Sequence, residues 1–333
     1  MTTELQLVDI NDPQVQKHVQ AAKKWFAAAE QAYSPNTIAA FRFDIRLWLT
    51  WCRQENKLSV PATAENVCLY IDYLATRYKP ASIKRYVQSL NTMNLAADAA
   101  PILDDKFVKL HMRAMRRSKG VEQDQARPIH YEDVERIISN TGWIDPISRQ
   151  RRFRTMDIRD LALIMVAYDT MLRGSELARL RAEDIEPIDD GAAVIKVRRS
   201  KSDQEGEGDY KYLRPRTLQF VTKWLSLIKV RKGFIFWSLS STGSPVNAPL
   251  TLQAVSLIYK KMMAQAGGQD AGKAYSSHST RIGACQDLHA QNVDLGRIMR
   301  AGSWKDPRMP VHYNRKAAAA SGGMAELARK QSK

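Results

Sequence analysis

The sequence predicts a mainly α protein with a small β-sheet, in which an all-helical N-terminal domain precedes a mixed α/β domain. Three observations predict this arrangement. The chain has 333 residues, which is enough for about two domains of roughly 150 residues each. Apolar residues recur at helical spacing along most of the chain, and strand-like segments occur only in its second half. Hydrophobic residues make up 44% of the chain, which is enough to build cores and excludes a disordered protein.

Helices account for the first third of the chain. Ser34 and Pro35 combine an N-cap residue with a first-turn proline, and apolar residues then recur at helical spacing as far as Cys52. Three further helical patterns follow, beginning after Pro61, at Pro80 and at about Asp104. We therefore expect a compact domain of four or five helices over residues 15–118, after a disordered tail over residues 1–14.

A polar segment separates the two domains. Residues 118–128 contain few apolar side chains, include Gly120 and end at Pro128, which is typical of a linker or loop. We predict a linker over residues 119–128, the alternative being an ordinary surface loop. The second domain is then expected over residues 129–333.

Helices and two short strands make up the second domain. A helix is expected around residues 156–171, and a short helix follows it. Residues 194–198 and 210–213 have the composition of strands and are joined by a turn rich in glycine and acids. Because proline lacks a backbone N–H, we expect Pro310 to interrupt a helix where it occurs. Further helical patterns cover residues 216–229, 251–265, 278–291, 294–301 and 307–319.

The charge balance favours a polyanionic partner. The chain carries 51 Lys and Arg against 35 Asp and Glu, a net charge of +16. Of this excess, residues 1–127 hold +5 and residues 128–333 hold +11. Nucleic acid is the expected partner, because each phosphate that the protein neutralises releases a counterion. A soluble protein with a basic surface is the alternative.

Several classes of protein are disfavoured. The longest apolar run, Leu161 to Tyr168, is far shorter than the roughly 20 residues of a membrane span, and no signal peptide is visible. Three widely spaced cysteines fit neither a disulfide framework nor a zinc site and indicate a reducing, cytoplasmic compartment. No phosphate-binding loop or metalloprotease motif is present, so we expect no cofactor, no metal and no membrane partner.

Seven side chains could carry chemistry, and each has an ordinary interpretation when it is taken alone. Arg173 and Glu176 lie three residues apart, which is typical of a surface ion pair. His278 and Arg281 have the same spacing and would form a capping or solvated pair. Taken alone, Lys201 would be an exposed loop lysine and Trp304 a core residue, and Tyr313 is one of twelve tyrosines.

Taken together and in this order, the seven residues resemble the active-site pattern of the tyrosine recombinase (phage integrase) family. The resemblance covers about residues 34–333. Trp304 stands where most family members have a second histidine, and Ile282 follows Arg281 where a histidine is commoner. The strings that carry the resemblance are Leu172-Arg173-Gly174-Ser175-Glu176-Leu177, Lys201, His278-Ser279-Thr280-Arg281-Ile282-Gly283-Ala284, Gly302-Ser303-Trp304 and Tyr313.

The resemblance implies a role for each of the seven residues. Arg173 and Arg281 would bind the non-bridging oxygens of the phosphate, where guanidiniums stabilise negative charge without a metal. The Tyr313 hydroxyl would be the nucleophile. His278 would transfer the proton of the nucleophile, and Lys201 would protonate the departing 5′ oxygen. Trp304 would donate one N–H to phosphate, and Glu176 would position its neighbours.

The resemblance also implies how such a protein acts on DNA. The N-terminal core-binding domain and the catalytic domain would form a C-shaped clamp around double-stranded DNA. Two subunits would bind inverted repeats at one site, and two sites would pair in a tetramer that exchanges strands through a Holliday junction. A C-terminal helix at about 322–330 would dock on a neighbouring subunit, the alternative being a frayed tail.

Eleven residues are candidates for contact with DNA, although each could instead be a solvated surface group. Gln253 falls where related proteins place a base-reading arginine, and glutamine pairs well with adenine. The candidates are Thr37, Arg42, Arg46, Lys84, Arg85, Gln88, Arg116, Arg117, Arg159, Arg199 and Gln253.

Three functions remain in competition. The first is site-specific recombination. The second is another outcome of the same active centre, such as that of a type IB topoisomerase or a telomere resolvase. The third is a non-catalytic DNA-binding regulator, which would need the basic surface but not Tyr313, Lys201 and both arginines.

Overall fold

The computed structural model describes residues 12–120, 125–198, 208–267 and 274–331. The chain divides into two compact units, Met1–Asp124 and Gln125–Lys333. Each unit has its own hydrophobic core. The predicted linker over 119–128 lies partly outside the described residues, so its bounds stay a prediction.

The first unit is helical, as predicted. The four helices that the sequence pattern indicated are present, and a fifth precedes them. That additional helix is capped by the Asp12 carboxylate, which accepts the Gln14 N–H, and it has Pro13 at its first position. Residues 13 and 14 are therefore helical, and their assignment to a disordered tail was wrong. The five helices are α1 (Pro13–Ala32), α2 (Pro35–Gln54), α3 (Ala64–Ala75), α4 (Pro80–Ala96) and α5 (Lys106–Lys119).

Aromatic side chains fill the centre of the first unit. Trp48 and Trp51 of α2 stack with ring centroids 5.3 Å apart, and both pack against Tyr70 of α3. The buried Trp48 indole donates its N–H to the carbonyl of Ser59 at 2.9 Å, so its polar atom is satisfied. This packing joins α2 to α3 within the core of the first unit.

The second unit is mainly helical with small sheets. Every helix and both strands that the sequence pattern predicted are present within two residues of the expected bounds. Its helices are α6 (Tyr131–Asn140), α7 (Thr155–Thr170), α8 (Gly174–Leu177), α9 (Pro215–Ile228), α10 (Leu252–Gly267), α11 (Ser279–Ala290), α12 (Leu295–Ala301), α13 (Arg308–Ser321) and α14 (Gly323–Gln331).

Within the described ranges, three antiparallel sheets accompany these helices. The largest has the strand order β3-β4-β5, and Ile195 faces Lys211 where its last two strands pair. The two others are hairpins, β1-β2 and β6-β7. The strands are β1 (Trp143–Ile144), β2 (Arg151–Arg152), β3 (Ile185–Pro187), β4 (Ala193–Val197), β5 (Asp209–Leu213), β6 (Trp237–Leu239) and β7 (Pro245–Pro249).

Helix α7 is the centre of the second unit, since all but three of its sixteen residues are buried. It packs against α9 and α11. The backbone at Ile129, near the start of the unit, packs directly on α11 at Gly283. Only glycine allows this contact, because a Cβ at Gly283 would lie 1.9 Å from the carbonyl oxygen of Ile129. The core therefore fixes α11, which carries one of the two arginine motifs.

Pro310 does not interrupt a helix, so that expectation was wrong. It lies in the first turn of α13, which begins at Arg308. Backbone N–H groups in the first turn have no partner within the helix, so a proline is tolerated there. The helix continues without a break through Tyr313.

None of the helices in the described ranges combines the length and apolar character that crossing a membrane requires.

Candidate active site

The first arginine motif is a helix cap. Met171 adopts a left-handed conformation with φ 52° and ends α7, which turns the chain so that Arg173 precedes α8. The Glu176 carboxylate accepts the Arg173 backbone N–H and its guanidinium Nη1, each at 2.9 Å. That carboxylate is 6% exposed and the guanidinium 25%. The pair is thus partly buried and ordered, unlike an ordinary surface ion pair.

Arg281 is held more rigidly still. Its residue is 2% exposed, and the guanidinium donates Nη1–H to the Met171 carbonyl and Nη2–H to the Gly302 carbonyl, the latter at 2.5 Å. Burial and the nearby Arg173 charge lower the pKa of Arg281 to about 10. The group therefore stays cationic at neutral pH, and its orientation is set before any ligand arrives.

Trp304 supports the Arg281 guanidinium from one face. The guanidinium carbon lies 4.2 Å from the centroid of the indole ring, a cation–π contact. The indole reaches this position because the chain turns sharply after α12, with Ser303 at φ 50° and the Trp304 N–H bonded to the Met299 carbonyl at 2.9 Å. The turn thus supplies both the ring and the Gly302 carbonyl that hold Arg281.

Gly302→Ala is expected to displace the Trp304 ring. A Cβ at Gly302 would lie 2.2 Å from the indole, a distance at which one of the groups must move. We expect DNA cleavage to slow by about 10-fold to 100-fold, since misplacement by 1 Å can have an effect of that size. The measurement is single-turnover cleavage with circular dichroism of the folded variant. The control is Gly267→Ala, whose Cβ would come no closer than 4.0 Å to any atom of the described residues. Equal rates for both variants would contradict the prediction.

Tyr313 lies against the same cluster. Its ring meets the Trp304 ring edge to face at a centroid distance of 5.9 Å, and its backbone carbonyl accepts the Gln286 side-chain N–H at 2.8 Å. Partial burial raises the pKa of Tyr313, and the charges of Arg281 and Arg173 oppose that shift. The phenol is therefore protonated at neutral pH, and a role as nucleophile would require a base.

His278 occupies the position before the first turn of α11. Its side chain makes no capping bond, and the residue is only in part exposed to solvent. Displacement of water by surrounding protein lowers the pKa of His278, and the positive charges of Arg281 and Arg173 lower it further. The imidazole is thus neutral at pH 7, the form that accepts a proton.

The structure brings together six of the seven predicted site residues. Hydrogen bonds, ring contacts or direct charge interactions connect them as one cluster. The seventh, Lys201, and the candidate Arg199 lie outside the described residues. Sequence reasoning missed Gln286 and the Met171 carbonyl, because neither carries a pattern that separates it from ordinary helical residues. The six clustered residues are Arg173, Glu176, His278, Arg281, Trp304 and Tyr313.

Most candidate DNA contacts of the first unit are accessible. Lys84, Gln88 and Arg116, from α4 and α5, line one open groove of about 370 Å³ over an apolar floor. Two candidates already have acidic partners within the unit: Arg42 bonds Glu30 at 2.5 Å, and Arg85 bonds Asp44 at 2.8 Å. The remaining exposed candidates are Thr37, Arg46 and Arg117.

The two described candidates of the second unit differ in exposure. Gln253 is exposed in the first turn of α10. The Arg159 guanidinium is 8% exposed, because it pairs with Asp160 at 2.7 Å and donates to the Trp237 carbonyl. Contact of either residue with DNA stays a prediction.

No group of three or more His, Cys, Asp or Glu side chains placed to hold a metal ion occurs in the portion of the chain that the structure covers. The two guanidiniums, of Arg173 and Arg281, are the permanently cationic groups among the six clustered residues.

Comparison with known proteins identifies the family. The model of the phage integrase family matches residues 129–320. The chain is 29% identical to the recombinase Cre of Escherichia phage P1 over 314 residues, which is 89% of each protein. It is 26% identical to an integrase/recombinase XerD homologue of Selenomonas ruminantium, over 91% of this chain and 88% of the relative.

Solved structures show the same fold. The chain superposes on the XerH site-specific recombinase in its post-cleavage complex with palindromic difH substrate, with a TM-score of 0.62 at 14% identity over 97% of this chain and 91% of that one. It also superposes on the Tn1549 transposon integrase in complex with transposon right end DNA, with a TM-score of 0.61 at 14% identity over 93% and 99% of the two chains. The chain belongs to the phage integrase family, the family of tyrosine recombinases.

Proposed function

We propose that this protein is a site-specific recombinase that cuts and rejoins DNA strands through a 3′-phosphotyrosyl intermediate on Tyr313. The Tyr313 oxygen attacks the scissile phosphorus, a P–O bond to tyrosine forms, and the P–O bond to the 5′ oxygen breaks. A 5′-hydroxyl from another strand then attacks the phosphotyrosine and restores a phosphodiester. The number of phosphoester bonds is unchanged, so no ATP is required. The guanidiniums of Arg173 and Arg281 would supply the positive charge that a metal ion supplies in other phosphoryl-transfer enzymes.

The observation that carries this proposal is the environment of Tyr313. The phenol lies against Trp304, and Trp304 in turn supports the guanidinium of Arg281. A nucleophile is thus adjacent to a buried cation of fixed orientation. That pairing suits attack on a phosphodiester, whose transition state gains negative charge on its non-bridging oxygens.

Proton transfers complete the reaction. His278 is neutral at pH 7 and would accept the phenolic proton, directly or through one water. Lys201 would protonate the departing 5′ oxygen. Trp304 would donate its indole N–H to a phosphate oxygen, and Glu176 would keep Arg173 in place, since a carboxylate aimed at phosphate would repel it.

The pH dependence of cleavage is expected to reflect His278. Its pKa is lowered from the ordinary value of 6.5, so the basic form persists at lower pH than for a free histidine. The midpoint of the acid limb of the rate profile should therefore lie below pH 6.5. Single-turnover cleavage measured from about pH 5 to pH 8 checks this, and His278→Gln should remove the acid limb. Half-maximal loss above pH 6.5 in the wild type would contradict the prediction.

The assembly is proposed by analogy with the family. Two subunits would bind inverted repeats of one DNA site, and two such sites would pair in a tetramer, with exchange through a Holliday junction. Helix α14 follows Gly322, which leaves the helical conformation at ψ 174°, and would dock on a neighbouring subunit. The candidate DNA contacts described above would set the register on the duplex, and the reaction would take place on DNA in the bacterial cytosol.

The test begins with selection of bound sequences from random duplex DNA, because the target is not encoded in the motifs. We expect the selected sequences to share inverted repeats around a short spacer. Two plasmid-borne copies of that site should then recombine in the presence of EDTA. Relaxation of supercoiled DNA that lacks any selected site would favour the topoisomerase instead, and binding without strand cleavage would favour a regulator.

A further inference from the structure

A buried lysine next to the site has no role in the reaction described above. Lys211 of β5 is 5% exposed. Its ammonium donates to the carbonyls of Arg300 and Ala301, both at 3.0 Å, and pairs with the Asp209 carboxylate at 2.7 Å. These three contacts use all three N–H donors of an ammonium. Lys211 therefore has no donor left for substrate.

The acceptors of Lys211 belong to the end of α12. The last carbonyls of a helix have no partner within it, and they carry the negative end of the helix dipole. An ammonium satisfies both features at once. Asp209 makes a second connection to the same place, because its Oδ2 also accepts the Ser303 hydroxyl at 2.7 Å. Although partial burial opposes it, the hydrogen bonds from Lys211 and Ser303 lower the pKa of Asp209, which is thus anionic.

Residues 300–304 form the turn that orients the second arginine. Within this turn, the Gly302 carbonyl accepts from Arg281 and the Trp304 ring packs against the Arg281 guanidinium. The turn contains Ser303 in a left-handed conformation, which L-residues adopt at a cost in energy. The contacts from β5 hold the turn in this shape.

We propose that Asp209 and Lys211 are positioning residues that set the place of Arg281 and Trp304 by holding the turn at residues 300–304. We call Asp209, Lys211 and Ser303 the β5 clasp. The inference rests on the proposed function, because positioning matters to the reaction only if Arg281 and Trp304 act on phosphate. The clasp itself is a structural claim that can be measured without activity.

The main test is Lys211→Met. Methionine has a similar volume and no charge. Removal of one partner of a buried ion pair usually lowers stability, but the Asp209 side chain is 42% exposed and keeps the hydrogen bond from Ser303, so its charge is not left buried without a partner. We expect DNA affinity within about twofold of the wild type and single-turnover cleavage slower by about 10-fold to 100-fold. Hydrogen exchange of the backbone amides near residues 300–304 should be faster. Ser303→Ala removes one hydrogen bond of the clasp, keeps the buried cation and should slow cleavage to a smaller extent.

The matched control is Arg214→Met, which breaks a different ion pair of the same unit. Arg214 contacts Asp169, Tyr131 and Tyr168 and none of the clustered site residues. This variant should lose stability but keep the cleavage rate of the folded protein and the exchange rate near residues 300–304. A merely structural role for Lys211 would make the two variants behave alike.

The outcomes separate the two proposals. If the wild type forms no covalent adduct with DNA, the proposed function fails, and exchange alone decides whether the clasp holds the turn. If the wild type forms the adduct, an unchanged cleavage rate or unchanged exchange in Lys211→Met overturns the inference and leaves the proposed function intact.

Discussion

Tyr313→Phe is expected to bind its target DNA with wild-type affinity and to form no covalent adduct. The change removes one oxygen, the proposed nucleophile, and keeps the ring that packs against Trp304. The Gln286 bond is to the backbone carbonyl and also survives. The measurement uses a nicked suicide substrate, which traps the intermediate because the released 5′ fragment diffuses away, followed by denaturing electrophoresis.

Tyr212→Phe is the control for this experiment. Tyr212 lies on β5, is 50% exposed and has the same side chain. It should form the adduct at the wild-type rate. Adduct formation by Tyr313→Phe would mean that another residue attacks the phosphorus.

Arg281→Lys is expected to have the second largest effect, a loss of about 10²-fold to 10³-fold in cleavage rate, which is typical for removal of one preorganised donor from a transition state. Lysine keeps the charge but has one ammonium nitrogen in place of the planar guanidinium, whose two terminal nitrogens bond the Met171 and Gly302 carbonyls and whose face packs on Trp304, so the fixed orientation of the cation is lost. Measured binding to uncleaved DNA should change little. The quantity to compare is the single-turnover rate.

Arg297→Lys provides the comparison for the same chemical change. Arg297 lies on α12, its side chain is 80% exposed, and it pairs with Asp294 at 3.2 Å. We expect its cleavage rate to equal that of the wild type. If Arg281→Lys cleaved as fast as Arg297→Lys, a fixed planar cation would not be needed at the phosphate.

Local signals in the sequence predicted most helices. Ser34 followed by Pro35 predicted the start of α2, where the Ser34 hydroxyl accepts the Thr37 N–H. Helix α1 was not delimited in advance, although Asp12 and Pro13 carry the same kind of signal. The error at Pro310 had a different origin: the effect of a proline depends on its position in the helix, and the start of α13 at Arg308 was not known.

The order and spacing of the site residues could be predicted through the family resemblance, whereas their supports could not. Arg281 bonds a carbonyl 110 positions earlier in the chain, at Met171. Lys211 bonds carbonyls 89 and 90 positions later. Such contacts depend on tertiary packing, and nothing in the local pattern of a strand distinguishes Lys211 from a lysine that faces solvent. A backbone carbonyl that accepts a hydrogen bond cannot be recognised from the sequence, because every residue type has one.

The central claim is that one phenol, next to a buried guanidinium, becomes covalently joined to DNA. Its most direct test is digestion of the trapped wild-type complex, formed in EDTA, and mass spectrometry of the peptide that carries the nucleotide. We expect a phosphodiester on Tyr313. A nucleotide on any other side chain, or cleavage that requires an added metal ion, would contradict the account.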